Sequence, residues 1–546
     1  MKKLLIIITG LSLSFFFQSC DEDEFLKEDP RDDIFAENLY LSYDGFNNGL
    51  NAIYALIREG RTNESNATYT DMWKLGTDNA FVNREATHIA PFNDYTKLNS
   101  ENNIIENSFN WLFRIVNSTN MVINRANNVD VDWQGTSADE DLENQQRVLG
   151  QAHLIRAWAY RHLKFGWGAV PLSLEEITGT TYRNDWERSP VTDINNQIEQ
   201  DLIIARDNLS MIEETGRVNS AVASTMLAEL YLELGEDEKA ETEALRVIND
   251  GQYQLMTNRF GVTAGDPGVP FSDLFDSPLP EEGNKEVLWV LNNAYQDVVG
   301  SEYIRIKNVW ITDYRKDDIL KNVDDMDILH TWNGGKGAGR ASVSDSAFAW
   351  YEEFDDRYSY HAVKKFYIYP NEESTSGFDT LLFTHMDYDD PEGPNQHHQW
   401  PWVTKWEYVD PFVLENAGRA GQYNDQMFMR LAETYLLAAE ALMNQGKTQQ
   451  AADLLNELRA RSNASEISAG DVTLDFILKE RSRELVSEEY RKHTLIRTGK
   501  FLEWAIKYNP RLDESKVFPH NVYMPIPQEI IDTNTDAEME QNEGYN

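Results

Sequence analysis

The sequence predicts a mainly α-helical protein, in which tetratricopeptide-like helical hairpins form a scaffold that carries a large, irregular, loop-rich insertion with short strands. Three observations lead to this fold class. Apolar residues recur every three or four positions in long stretches of the chain, which is the spacing of one face of a helix. A motif of small residues occurs twice, and between its copies the pattern changes to Gly, Pro, Asp and aromatic clusters.

The chain begins with a basic pair and an apolar run, residues 4–17, and its only cysteine, Cys20, follows shortly after. A run of this length is too short to cross a bilayer and fits the hydrophobic part of a signal peptide. An acidic string follows Cys20 directly, which completes the layout of a bacterial lipoprotein signal. We therefore expect residues 1–19 to be removed, Cys20 to carry lipid as a stable anchor, and residues 20–34 to form an acidic tether.

The composition limits the partners of the folded part. The chain has 92 acidic and 49 basic side chains and a formal net charge of −43. Such a surface repels phosphate backbones, so no nucleic acid is expected as a partner. No stretch after Cys20 approaches 18 apolar residues, so the lipid anchor is the only expected contact with a membrane.

Residues 35–546 are interpreted as a single domain because linker composition is confined to the tether. Helices are predicted at about 35–250 and 424–505, a loop-rich ligand region at about 251–423, and a C-terminal segment at 506–546. The first strong helical stripe consists of Val148, Ala152, Ile155, Ala159 and Leu163.

The repeated motif consists of Ala-Glu, then Gly, then Ala at fixed spacing. Its copies are Ala228-Glu229, Gly235 and Ala240, and Ala439-Glu440, Gly446 and Ala451. Alanines at these points let two antiparallel helices approach closely, and the glycine opens the turn between them. This is the logic of the tetratricopeptide hairpin.

The region at about 251–423 is interpreted as the specificity region, since an irregular insertion of this length is unusual in a compact domain unless it carries function. Strand-like pieces occur within it at residues 286–291 and 365–369. Trp310, Trp332, Trp350, Trp400, Trp402 and Trp406 all fall within it.

Four blocks of sequence resemble the SusD/RagB family of Bacteroidota, which are surface lipoproteins involved in starch utilisation. They are QAHLIRAWAYRHLKFGWGAVPL at 151–172, FMRLAETYLLAAEALMNQGKTQQAADLLNELRARS at 428–462, ERSRELVSEEYRKHTLIRTGKF at 480–501, and YMPIPQEII to QNEGY at 523–545. The third block departs from the family at Glu489, where Gly is usual, and at Thr494, where Asp is usual.

The resemblance implies an outer-membrane, lipid-anchored protein at the cell exterior. It would bind an oligosaccharide and act as the lid of a SusC-like TonB-dependent transporter. A peptide or other nutrient as cargo is the alternative, and a lipid-anchored glycosidase with two carboxylates is a remote one.

No catalytic residue is predicted, because the chain has no G-x-S-x-G, Walker or His-Glu-x-x-His motif. The charged residues between Glu480 and Arg491 lie at helical spacing, which favours structural ion pairs over acid–base chemistry. No cofactor is expected either. The acidic turn at 387–393 offers oxygen ligands for Ca²⁺ but lacks the Gly and terminal Glu of an EF-hand loop.

Aromatic side chains are the remaining chemical resource. Sugar rings lie flat on indole and phenol faces, and Asn, Asp and Arg side chains fork onto their hydroxyls. Tryptophans beside polar, turn-forming sequence are therefore the best candidates, among them Trp310, which has Asp313 close by. The predicted ligand-binding residues are Asp71, Trp73, Asp78, Asn79, Trp310 and Trp332.

Overall fold

A computed structural model describes residues 36–61, 68–84, 88–127, 130–293, 304–383, 398–409 and 421–545. Cys20, the tether and the acidic turn at 387–393 lie outside these residues, so their predicted roles stay predictions.

The described chain is rich in helices. They are α1 Ala36–Leu39, α2 Tyr43–Glu59, α3 Asn103–Ala126, α4 Ala138–Trp167, α5 Val191–Asn208, α6 Ser220–Leu234, α7 Asp237–Ile248, α8 Pro270–Asp276, α9 Ile306–Trp310, α10 Met326–Trp332, α11 Asp345–Phe348, α12 Leu431–Asn444, α13 Thr448–Arg461, α14 Leu474–Leu485, α15 Arg491–Arg497, α16 Phe501–Tyr508 and α17 Gln528–Thr533. The strands are β1 Ala80–Val82, β2 Val287–Leu291, β3 Ala341–Val343, β4 Val363–Lys364, β5 Phe366–Pro370, β6 Phe378–Leu382, β7 Trp402–Val403 and β8 Gln426–Arg430.

Long scaffold helices begin where the sequence supplies a cap. The side chains of Asn102, Ser137 and Asn219 accept hydrogen bonds from the first free amides of α3, α4 and α6. Such caps satisfy donors that have no partner inside the helix.

The scaffold is a continuous array in which each helix packs against the next, in the order α2, α3, α4, α5, α6, α7, α12, α13, and α14 packs against α12. The two copies of the repeated motif are the hairpins α6–α7 and α12–α13. Their glycines, Gly235 and Gly446, have φ angles of 73° and 76°, the left-handed conformation that glycine adopts without strain. The predicted fold class is confirmed.

The two hairpins lie side by side, although about 180 residues separate them in sequence. Helix α12 packs on both α6 and α7. The Thr225 and Thr434 hydroxyls lie 2.8 Å apart, and Asn444 donates to the Asp237 carboxylate at 2.8 Å. The insertion therefore leaves the scaffold at one point of the array and returns at the same point.

An antiparallel pair forms the stem of the insertion. Strand β2 leads into it and pairs with β8, which leads out of it, in a register from Val287 opposite Arg430 to Leu291 opposite Gln426. The other described sheets are also two-stranded and antiparallel: β1–β3, β4–β7 and β5–β6. No helix among the residues that the structure describes is long and apolar enough to cross a membrane.

A buried ion-pair network joins the insertion to the scaffold. Arg357 of the insertion bonds Asp355 at 2.8 Å, and it also reaches two carboxylates of α14, Glu480 at 2.7 Å and Glu484 at 3.0 Å. Arg461 of α13 binds Glu286, next to β2, at 2.9 Å. These side chains are completely buried.

Candidate functional site

Trp73 lies in the hydrophobic core. Its side chain is completely buried, and its ring stacks on the His162 imidazole at a centroid distance of 4.8 Å. Trp167 and Tyr490 pack edge-on against the same ring. Both faces of the indole are therefore covered by protein, and we expect this residue to support the fold.

The polar residues predicted beside Trp73 are also interior. Asp78 accepts a bidentate pair of bonds from Arg491, at 2.9 and 2.7 Å. The side-chain amide of Asn79 donates to the Ser482 hydroxyl at 3.2 Å. Asp71 accepts from the Thr68 amide at 2.7 Å, and burial raises the pKa of its carboxyl.

The two remaining predicted tryptophans differ from each other. Trp310, at the end of α9, is 2% exposed. Trp332, at the end of α10, is half-buried, and its ring lies 6.3 Å from that of Phe378 on β6, which is 43% exposed. Of the six predicted residues, Trp332 is thus the one whose ring still reaches solvent.

The structure nevertheless brings together the two chain segments that contain these residues. Strand β1 follows Asn79, and it pairs with β3, which follows Trp332, so that Ala80 lies opposite Val343. The ladder continues where the Arg84 amide donates to the Gly339 carbonyl at 3.0 Å. This pairing places Arg84 beside the loop that contains Asp313.

Three arginines gather around the Asp313 carboxylate, and we call Arg84, Asp313, Arg315 and Arg340 the arginine junction. Arg84 binds Asp313 at 3.0 Å and Arg315 binds it at 2.7 Å. Asp313 is 1% exposed, whereas the Arg84 and Arg315 side chains are 34% and 27% exposed. Burial and the nearby Arg84 charge lower the pKa of Arg340.

The arginine junction presents two partly exposed guanidinium groups, Arg84 and Arg315, whose bonds to Asp313 use only some of their N–H groups. A guanidinium offers two parallel N–H groups to paired oxygens, such as adjacent hydroxyls of a sugar. Arg315 also donates to the carbonyl of Gly337 at 3.1 Å, in the loop that follows Trp332. Sequence reasoning singled out Asp313 but missed the arginines, because the pairing of β1 with β3 joins residues far apart in the chain.

A groove opens on another face, along the scaffold. Helix α3, the segment 171–186 and the C-terminal segment 530–539 line a cavity of about 490 Å³. Phe113, Ile177, Trp186 and Ile530 supply apolar walls, and Tyr182, at its rim, is 68% exposed. We call this cavity the scaffold groove.

The charged cluster between Glu480 and Arg491 is structural. Glu480 binds Arg483, one helical turn away, at 2.5 Å. Burial alone would raise the pKa of Glu480, but Arg357, Arg483 and Arg459 lower it to about 2. Glu489 and Thr494 are the two positions where the third sequence block departs from the family. The Thr494 hydroxyl donates to the Glu489 carboxylate at 2.6 Å, so these two residues satisfy each other's hydrogen bonding.

Within the described residues, no group of three or more His, Cys, Asp or Glu side chains is arranged to hold a metal ion.

Comparison with known proteins places most of the chain in one group. The model of the SusD family matches residues 340–545. A second model, described as starch-binding and associating with the outer membrane, matches residues 24–232. A SusD-like protein of Formosa agariphila is 22% identical over 97% of both chains. The starch-binding protein SusD of Bacteroides thetaiotaomicron is 37% identical over 125 residues, 22% of each chain.

Solved structures share the fold over nearly the whole chain. A laminarin-binding SusD-like protein aligns with a TM-score of 0.68 at 21% identity, covering 92% of this chain and 99% of its own. Surface glycan-binding protein A of Bacteroides thetaiotaomicron, solved with laminarihexaose, gives 0.68 at 19% identity with the same coverage. At these identities the likeness shows the fold alone.

Proposed function

Because this chain belongs to the SusD family, we propose that it is a cell-surface lipoprotein that binds an oligosaccharide and delivers it to an outer-membrane transporter. The observation that carries the proposal is the arginine junction, where forked donors reach the surface beside the loop that follows Trp332. Aromatic faces and planar polar groups are the two components of a glycan site.

In this proposal, Trp332 and Phe378 stack on a sugar ring, while Arg84 and Arg315 bind its hydroxyls. The buried residues have a supporting role. Asp78 and Asn79 are held by Arg491 and Ser482, and they fix the start of β1, which in turn positions Arg84. The site is thus built on a rigid base, which limits the ordering cost of binding.

The proposed transporter is a SusC-like TonB-dependent channel, for which this protein forms the lid. Lid closure would couple to cargo only if the closed state makes additional contacts with it. The outer-membrane association in the description of the second matching family model supports this placement. The protein performs no reaction in this proposal, since its relatives are described as binding proteins.

Calorimetry with a panel of glycans and peptides tests the cargo and the site together. Trp332→Ala should weaken binding of the best oligosaccharide by about 1–3 kcal/mol, the scale of one aromatic contact, with little change in melting. Arg84→Gln and Arg315→Gln should also weaken binding. Tyr360→Ala is the matched control, because its ring is 57% exposed and lies outside the arginine junction.

Trp73→Ala provides the opposite pattern. Its ring is fully buried, so truncation should cost about 3–5 kcal/mol of stability and alter binding only through unfolding; the buried Trp310 should behave in the same way.

Wild-type binding in Trp332→Ala, Arg84→Gln and Arg315→Gln alike would refute the site. Binding of peptides without glycans would favour the alternative cargo, and turnover of a glycan would support the remote glycosidase.

The lipid anchor has a separate test. Cys20→Ala should give a folded protein that no longer partitions with membranes, since the acyl chains are the proposed anchor. Detergent-phase partitioning of the two forms measures this. Equal partitioning would show that the anchor lies elsewhere.

A further inference from the structure

The scaffold groove differs from the arginine junction in chemistry. Two of its amides are already used: Asn117 exchanges bonds with the backbone of Ile177 at 2.9 and 2.7 Å, and Asn534 exchanges bonds with the backbone of Trp186. A sugar needs open donors and acceptors, so the walls of the scaffold groove suit an apolar occupant.

The charged residues that line the scaffold groove are basic, whereas the chain as a whole is acidic. Among the described residues that line it are two arginines and no acidic residue; Arg114 pairs with Glu59 and Arg183 with Asp185, two carboxylates outside the lining. The chain as a whole has nearly twice as many acids as bases. An occupant with apolar side chains and acidic neighbours would therefore complement both the walls and the rim.

The N-terminal segment of this chain has that composition. Residues 21–35 contain eight acidic and two basic side chains, and the apolar pair Phe25 and Leu26 lies among them. In the sequence this pair is flanked on both sides by charged residues.

The described chain starts close to the scaffold groove. Tyr40, just after α1, lies with its ring 5.8 Å from the guanidinium of Arg125. Arg125 binds Glu176 at 2.7 Å, and the next residue, Ile177, lines the scaffold groove. One end of the groove is therefore near the point where residues 21–35 join the fold.

The intervening length is sufficient. From Arg125 to Asn110, at the far end of the groove, α3 rises about 22 Å at 1.5 Å per residue. Leu26 lies ten positions before Ala36, and an extended chain of ten residue steps reaches about 33 Å. Phe25 and Leu26 can thus reach any part of the groove.

We propose that residues 21–35 dock in the scaffold groove of the same molecule, with Phe25 and Leu26 against Trp186 and Ile530 and with the acidic residues near Arg114 and Arg183. Docking would hold the folded body close to the membrane with one face toward it. A free segment of 15 residues would instead allow a separation of up to about 50 Å.

The single cysteine makes a direct test available. In the full chain with Cys20→Ala, spin labels are attached at Lys27→Cys and at Asp532→Cys, an exposed residue of α17, and their separation is measured by pulsed electron paramagnetic resonance. Docking predicts a narrow, short distance distribution. Phe25→Ser with Leu26→Ser should make that distribution several-fold wider.

Groove variants complete the test. Ile530→Glu places a charge in the apolar wall, and Tyr182→Glu adds one at an exposed rim position where folding is not at risk; both should widen the distribution. Val262→Glu, at a residue 70% exposed elsewhere, should not. A broad distribution in the unchanged protein overturns the proposal, as does a narrow one that both groove variants leave unchanged. If the distance distribution stays broad and an added oligosaccharide, or a second copy of the chain, protects the groove residues instead, that molecule is the occupant of the scaffold groove.

Discussion

At the residue scale, two histidines are buried without hydrogen-bond partners. Neither ring nitrogen of His162 or His493 is paired, and the rings pack against aromatic neighbours, with His493 stacked on Phe165 at 4.6 Å. Burial lowers the pKa of both well below the usual value, and the nearby Arg161 charge lowers it further. Lys164 and Lys492 add to this effect at His493. Both imidazoles are therefore neutral in the folded protein.

This arrangement makes stability depend on pH. In the unfolded chain these histidines take up a proton below about pH 6.5, whereas in the fold they do not. The unfolded state then binds more protons, so the folded state loses about 1.4 kcal/mol per pH unit for each histidine as the pH falls below that value.

His493→Phe should keep the stacking and remove one of these titrations. We expect equal or greater stability at pH 7, because an unsatisfied polar ring is replaced by an apolar one, and a smaller loss between pH 6.5 and pH 5. Urea unfolding at several pH values measures it. The half-buried His88→Phe is the control, and an identical pH dependence in wild type and His493→Phe would contradict the assignment.

The candidate site residues were only partly predictable from the sequence, because their burial depends on partners that lie far away in the chain. Asp71, Asp78 and Asn79 suggested an exposed surface around Trp73, since polar neighbours usually lie in solvent. Their partners come from distant parts of the chain, such as Arg491 for Asp78. Local polarity does not reveal a long-range partner, so sequence alone could not separate the buried Trp73 from the half-buried Trp332.

At the element scale, the repeated motif was the most informative signal. Spacing of alanine and glycine predicted two helical hairpins, and both glycines adopt the expected left-handed conformation. What the motif did not predict is that the hairpins are adjacent, because neither copy contains information about the chain between them.

Gly446→Val should destabilise the fold by a few kcal/mol. A side chain at Gly446 would meet no neighbour within 4 Å, so the cost arises from the backbone: about 1–2 kcal/mol for a left-handed residue with a Cβ, and more when it is β-branched. Urea unfolding measures the change. Gly179→Val, at a position equally open and without a positive φ, should be nearly neutral, and equal effects of the two substitutions would argue against the hairpin turn.

At the scale of the whole molecule, the buried ion-pair network determines how the parts hold together. Burial alone would raise the pKa of Glu484, but Arg461, Arg430 and Arg357 hold it well below the usual value. A carboxyl with a lowered pKa in the fold contributes stability above its unfolded pKa of about 4.3 and loses it as the pH falls further. The network therefore protects the fold at neutral pH and weakens it in strong acid.

Arg357→Met should be severely destabilising, by about 3–5 kcal/mol, because it leaves buried carboxylates without their shared partner. Hydrogen exchange should show faster opening of the insertion around Asp355 together with α14, since Arg357 bonds both. Arg183→Met removes a half-exposed pair with Asp185 and should change stability little, because solvent screens such a pair. If the insertion alone loses its protection from hydrogen exchange while α14 keeps it, the two parts are not coupled.

The β2–β8 stem has a consequence for how such a chain can diversify. Because β2 and β8 pair at the point where the chain leaves and rejoins the array, residues beyond the stem can change in length and chemistry without altering the order in which the helices stack. Arg430, at the end of β8, bonds Glu488 of the scaffold at 2.8 Å, and Lys405 of the enclosed segment bonds the same carboxylate, so the exit strand and the enclosed segment share this anchor. Exchange between homologues of the parts of the enclosed segment that do not bond the scaffold, with Arg357 and Lys405 retained, is therefore a route to new recognition in an unchanged frame.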